Sequence, residues 1–170
     1  MKKRKSIVLI GMPGAGKSTL GVLLAKEMAL DFVDTDVLIQ ARKGKTLQQI
    51  IAESGYLNLR RIEGEIIASA HLPRHVIATG GSAVYSDAGM ANLRSLGAVV
   101  FLECSAEALR RRIHNYESRG IAKAPGQTFE ALFLERQALY RQYADMTVRC
   151  DGLTMQEALE QLIEALKARG

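Results

Sequence analysis

The sequence predicts an α/β fold, a three-layer α/β/α arrangement in which helices cover both faces of a five-stranded parallel sheet. Five short apolar runs, "SIVLI", "DFV", "HVIAT", "AVVFLE" and "MTVRC", alternate with segments of helical period. Continuous apolar runs separated by helices belong to strands buried on both faces. The stretch "GMPGAGKST" at 11–19 adds a strand, glycine-rich loop and helix in direct succession.

The elements follow in order. After the first run and the glycine-rich loop comes a helix at about 17–29, then "DFV" and the triplet "DTD" at 34–36, from which a helix runs on through "VLIQARK". A helical pattern at about 46–70 leads to "HVIAT" and the glycine turn "GGSAV" at 80–84. "AVVFLE" precedes a helix at about 105–115, with Ser105 placed as its N-cap. The stretch 114–127, "HNYESRGIAKAPGQ", is polar and without period, and longer than a connection between two helices requires. It reads as a lid or as a plain surface loop. Helices at about 128–143 and 154–168 flank "MTVRC", the last opened by the capping box "TMQE" with Thr154 as N-cap.

Composition narrows the class. With 170 residues and 18.6 kDa the chain suits a single domain over 1–170, and 48% hydrophobic with 24% charged residues is that of a soluble globular protein. No apolar run approaches the roughly 20 residues of a membrane span, so no membrane partner is expected. A cleaved signal peptide is not expected either, because the glycine-rich loop follows the first apolar run at once. The net charge is +5, of which Lys2, Lys3, Arg4 and Lys5 supply four. Such a tail reads as a solvated end, not as a nucleic-acid surface. Cys104 and Cys150 lack CxxC spacing and read as buried free thiols; His71, His75 and His114 form no zinc pattern.

The spacing Gly11-x-x-x-x-Gly16-Lys17-Ser18 carries the chemistry. Gly14, Ala15, Gly16, Lys17, Ser18 and Thr19 would present backbone N–H groups and a helix N-terminus to nucleotide phosphates. Lys17 would reach the β/γ-phosphates and the Ser18 hydroxyl would ligate Mg²⁺. Neither "HVIATGGS" nor "AVVFLECS" ends in a well-placed metal-binding acid, although the second offers Glu103. Asp34 and Asp36 instead stand at the carboxyl end of the second strand, where ligands of parallel sheets collect. One could hold the metal and the other take a proton from a substrate hydroxyl. The same triplet could simply cap a helix, and the two readings are compatible.

"GMPGAGKST", "DTD", "LRRIE" at 59–63, "GGSAV" at 80–84 and "ERQALYRQYAD" at 135–145 resemble, in order and spacing, the shikimate kinases. The resemblance runs from about residue 6 to the C-terminus. It implies a P-loop kinase fold of the nucleoside-monophosphate-kinase type, with a small lid at about 114–127 and an acceptor-binding helical region at about 35–62. It implies transfer of the γ-phosphoryl group of ATP, with Mg²⁺, to a ring hydroxyl of shikimate in a cytoplasmic monomer. Lys17, Asp36 and Arg119 would be catalytic, Ser18 and Asp34 would serve the metal, and Arg112 would pack on the adenine. Asp36, Arg60, Gly80, Gly81, Ser82 and Arg136 would hold the acceptor, the two arginines by its carboxylate.

On spacing alone Arg60 and Arg136 would be taken for helix-surface residues, with Glu63 placed to orient Arg60 from the same face. Arg110, Arg111 and Arg112 cannot all face one way. Two positions depart from the family's pattern. Ser82 replaces the third glycine of the turn, at a conformational cost if that position needs positive φ, and adds bulk and a donor to the pocket wall. Gly120 follows Arg119 where proline is usual, which would free the lid's hinge. These departures leave open a same-fold kinase for another hydroxylated carboxylate or sugar acid. A nucleotide-binding sensor with little turnover is the reading from another class.

Overall fold

The computed structural model describes residues 5–170, so Lys2, Lys3 and Arg4 lie outside the described residues. Its five strands are β1 (Ser6–Ile10), β2 (Asp31–Asp34), β3 (His75–Ala78), β4 (Gly97–Glu103) and β5 (Met146–Arg149). They form one parallel sheet in the order β2-β3-β1-β4-β5. In the middle, Val8 lies opposite Ile77 on one side and Val99 on the other. All five residues of β1 are buried, as an uninterrupted apolar strand between two helical layers must be.

Among the described residues eight α-helices accompany the sheet: α1 (Lys17–Met28), α2 (Thr35–Lys43), α3 (Leu47–Ser54), α4 (Tyr56–Ala68), α5 (Asp87–Leu96), α6 (Ala106–Arg112), α7 (Phe129–Tyr143) and α8 (Met155–Arg169). The expected caps are present. Ser105 accepts from Ala108 N–H, and Thr154 and Glu157 close a reciprocal capping box. The helix expected over 46–70 is two, because Gly55 adopts φ 83° and ψ 164°, which no helix continues through. Helix α5 had no counterpart in the sequence reading. Its ten residues include an interior glycine, Gly89, and its start rests on the Ser86 hydroxyl accepting from Gly89 N–H.

Two apolar clusters result. The larger packs the sheet against α1, α5, α7 and α8. A smaller one gathers Ile39, Ile50, Leu59, Ile62 and Ile66 from α2, α3 and α4, and includes Ala122 from the 114–127 stretch. That stretch therefore rests on the α2–α4 region. Gly120 makes the closest approach: its φ is +77°, and a Cβ there would lie 2.8 Å from both Gln48 N and Leu47 Cβ. The expected freer hinge is thus corrected. Glycine stands at 120 because the chain is pressed left-handed against the start of α3.

Candidate active site

Because the strands are parallel, the segments that follow β1, β2 and β3 leave the same edge of the sheet. They bring together the glycine-rich loop, Asp34 with Asp36, and the Thr79–Ser82 turn. Residues 119–122 and Arg136 from α7 complete a cavity of about 310 Å³ that both Lys17 and Asp36 line.

In the loop, Gly14 and Gly16 take φ 85° and 93°. Gly16 precedes α1 with no side-chain cap, which leaves the first N–H groups of the helix to a ligand. Lys17 is buried, and its Nζ donates to the carbonyls of Gly11 and Met12 at 2.7 and 2.9 Å. Burial, which disfavours the charged amine, lowers its pKa to about 8. Ser18 and Thr19 are exposed at the mouth.

Asp34 caps a helix and also faces the glycine-rich loop. Its Oδ1 caps α2, accepting from Asp36 N–H at 2.9 Å and Val37 N–H at 3.3 Å. Its Oδ2 accepts from the Ser18 hydroxyl. A hydroxyl and a carboxylate oxygen, side by side at the phosphate loop, are the hard donors that suit Mg²⁺. Glu103 is engaged elsewhere, pairing with Arg141 and Arg149 at 3.3 and 3.2 Å.

Asp36 is turned into the cavity. Burial first and the Asp34 charge second raise its pKa to about 6. Gly80 is the reason Asp36 fits, since a Cβ there would collide with Asp36 Oδ1 and with Glu63 Oε2. The Gly80 N–H is held by the buried Thr35 hydroxyl at 2.9 Å. At the next position a Cβ on Gly81 would come within 2.7 Å of Arg136 Nη1. Ser82 has φ −96° and ψ 3°, so the conformational cost considered for serine does not arise. It lines the cavity, and its hydroxyl donates to Glu63 Oε1 at 2.5 Å.

Arg60 and Arg136 converge although they lie on different helices. Each donates through Nη2 to the carbonyl of Ala122 at 2.9 Å. The Arg60 guanidinium stacks 3.7 Å above the Tyr85 ring, and that of Arg136 lies 5.6 Å from it. Arg136 is only 1% exposed, and the buried Nε of both arginines has no hydrogen-bond partner. The surface reading of these two residues is therefore corrected, as is the pairing of Arg60 with Glu63. Tyr85 and the Ala122 carbonyl gave no sequence signal, because neither backbone carbonyls nor a lone tyrosine carry a pattern.

The three consecutive arginines of α6 go three ways. Arg110 pairs with Glu130, Arg111 with Glu107 at 2.5 Å, and Arg112 lies along the loop with Nη1 3.3 Å from the Gly14 carbonyl. Arg119 lines the cavity, where its charge acts on both Lys17 and Asp36.

The shikimate kinase family profile matches residues 13–167. A shikimate kinase of Methylococcus capsulatus is 35% identical, covering 100% of this chain and 97% of the relative. One of Pseudomonas entomophila is 38% identical, covering 96% of each. The structure of a shikimate kinase from Acinetobacter baumannii in complex with shikimate superposes with a TM-score of 0.86 at 26% identity, covering 97% of this chain and 94% of that one. For the Aquifex aeolicus shikimate kinase the TM-score is 0.81 at 28% identity, covering 96% and 97%.

Proposed function

The chain belongs to the shikimate kinase family, and from that premise we propose how its pocket divides the labour. The protein is an ATP-dependent phosphotransferase that acts on a hydroxyl group, turning shikimate and ATP into shikimate 3-phosphate and ADP. The acceptor lies with its carboxylate on Arg60 and Arg136 and its reacting hydroxyl on Asp36. The observation that carries this reading is the pair of guanidiniums that share one carbonyl oxygen and keep buried donors unpartnered. Such a fork matches a carboxylate in geometry and charge.

Asp36 orients the acceptor hydroxyl and takes up its proton; its raised pKa makes it a better base than an exposed aspartate. The β- and γ-phosphates lie on the loop N–H groups from Gly14 to Thr19, and Lys17 turns from the loop carbonyls toward them. Arg119 places its charge by the transferring group, where positioned cations stabilise the transition state. Arg112 packs on the adenine. Ser18 and Asp34 would hold Mg²⁺, which would supply positive charge against the phosphates.

Gly80, Gly81 and Ser82 form the wall beneath the acceptor. Residues 1–170 act as one P-loop kinase domain, with 114–127 as lid and 35–62 as acceptor-binding region. The proposed working unit is a monomer. Among the described residues no helix is long and apolar enough to cross a membrane, and with two buried free thiols this supports a cytoplasmic enzyme.

The test is ADP release with ATP and Mg²⁺, measured with and without shikimate. Strong stimulation at submillimolar shikimate is expected. ATP binding without stimulation would discard shikimate and direct the search to other hydroxylated carboxylates or sugar acids.

A further inference from the structure

Tyr85 ends a short helical turn, Ala83–Tyr85, that follows Ser82. It is half-buried, and its ring faces the two arginines of the acceptor site. The Arg60 guanidinium carbon lies 3.7 Å from the ring centroid, and that of Arg136 lies 5.6 Å from it. Tyr56, one turn before Arg60 on α4, adds a second ring at 5.0 Å from the Arg60 guanidinium. The Tyr85 hydroxyl donates to Glu135 Oε1, and Gln127 Nε2 donates to the other oxygen of that carboxylate at 3.2 Å. The ring is thus held at its far end by a side chain that α7 carries one residue before Arg136.

Arg60 loses hydration by burial and is repelled by the Arg136 charge, and both effects push its pKa down. The negative face of an aromatic ring attracts a cation without adding net charge to the site. A flat ring also fixes the plane of a guanidinium, whose long stem otherwise samples many rotamers. Among the described residues Arg60 makes one hydrogen bond, to the Ala122 carbonyl, and its buried Nε has no hydrogen-bond partner. One bond leaves the guanidinium free to turn about it; the stack on Tyr85 removes that freedom.

We propose that Tyr85 is a positioning residue for the acceptor site: its ring holds the Arg60 guanidinium in place beside that of Arg136, so that a carboxylate meets a pair already aligned. The inference rests on the reading that the acceptor carries a carboxylate bound by these two arginines. Pre-organisation of this kind strengthens binding by lowering its entropic cost, without a new contact to the ligand.

The test compares Tyr85→Leu, which removes the ring, with Tyr85→Phe, which keeps the ring and loses only the hydroxyl. In the ligand-free protein, the heteronuclear NOE of Arg60 Nε–Hε reports how rigidly the guanidinium is held on the ps–ns timescale. It is expected to fall in Tyr85→Leu and to hold in Tyr85→Phe. An NOE that does not change in Tyr85→Leu overturns the inference whatever the substrate.

In steady-state assays Tyr85→Leu is expected to raise the KM for shikimate about 5–30-fold, the range of a partly buried cation–π contact. The KM for ATP and kcat should hardly change. Tyr85→Phe should stay within about three-fold of the wild type, since its ring still offers the same face. A KM for shikimate that stays put in Tyr85→Leu overturns the inference. So does a loss of equal size in both variants, which would trace the effect to the hydroxyl. A general loosening of the pocket would move kcat and both KM values together, and that pattern overturns it too. If the wild-type enzyme gives no shikimate-dependent turnover, the substrate reading fails, while the NMR arm still decides whether Tyr85 holds Arg60.

Discussion

Arg60 and Arg136 donate to the same atom, the carbonyl oxygen of Ala122, each at 2.9 Å. Two cations on one neutral acceptor are an incomplete arrangement, and a carboxylate would complete it with charge as well as lone pairs. Ala122, which bridges them, belongs to the small α2–α4 cluster, so the arginines and the 114–127 stretch are joined before any ligand arrives.

Removing Arg60 should therefore weaken the acceptor and spare the nucleotide. For Arg60→Ala we expect the KM for shikimate to rise about 10–100-fold, since hydrogen bonds to charged groups are worth ~1.5–3 kcal/mol. The KM for ATP should stay where it is. Steady-state kinetics with each substrate varied in turn checks this, and an effect confined to ATP would mean that the carboxylate site is elsewhere. Arg60→Lys should recover only part of the loss, because an ammonium keeps the charge but not the planar fork.

Asp36→Asn keeps the shape of the side chain and removes the base. A fall in kcat of ~10²–10⁴-fold is expected for loss of a positioned general base, with ATP affinity nearly unchanged. Equilibrium ATP binding and single-turnover transfer measure the two separately. A variant that kept most of its turnover would remove Asp36 from the chemistry.

What could be read from the sequence, and what could not, follows from how local each feature is. The phosphate loop was legible because strand, loop, lysine and hydroxyl are contiguous, and the five strands because each is a short apolar run. On spacing alone Arg60 and Arg136 look like surface residues, and only the family resemblance placed them together, since it is tertiary packing over Tyr85 and Ala122 that brings them to one place. Glu63 was assigned to the wrong partner for the same reason: its near neighbour in sequence is Arg60, while its neighbour in space is Ser82. Gly55 carries no signal in the sequence and Gly120 reads there as a freer hinge, although one breaks a helix and the other lets the 114–127 stretch touch α3. Their meaning lies in φ, which no side-chain pattern encodes.

Gly120 makes the contact between the 114–127 stretch and α3 testable. Gly120→Ala would have to hold φ near +77° with a Cβ 2.8 Å from Gln48 N and Leu47 Cβ. Left-handed backbone costs a non-glycine residue ~1–2 kcal/mol before that crowding is counted. We expect kcat/KM for shikimate to drop about 5–30-fold. Gly120→Pro, whose ring fixes φ near −65°, should be worse. Thermal unfolding should barely change in either variant, because the contact lies outside the main core. Unchanged kinetics in both would mean that this contact does not matter for turnover and that the stretch is not a working lid.

Glu63 should also set a pH dependence of stability. Burial first and the neighbouring Asp36 charge second push its pKa from 4.5 up to about 7, against the opposing effects of Ser82, Arg136 and Lys17. Folding therefore favours the protonated acid. Below pH 4.5 the acid is neutral in both folded and unfolded chains, so it penalises neither. As the pH rises toward 7 the unfolded chain ionises first, and the folded state loses stability until Glu63 ionises there too. Glu63→Gln never ionises and escapes that loss. The Tm of the variant should match the wild type near pH 4 and exceed it by roughly 3–6 °C at pH 8, about 1–2 kcal/mol in a chain of this length. Thermal melts of both proteins across that range check it. A gap that stays flat with pH, or one that closes as the pH rises, would mean that the buried carboxylate is stabilised in its charged form by Arg136 and Lys17 more than burial opposes it.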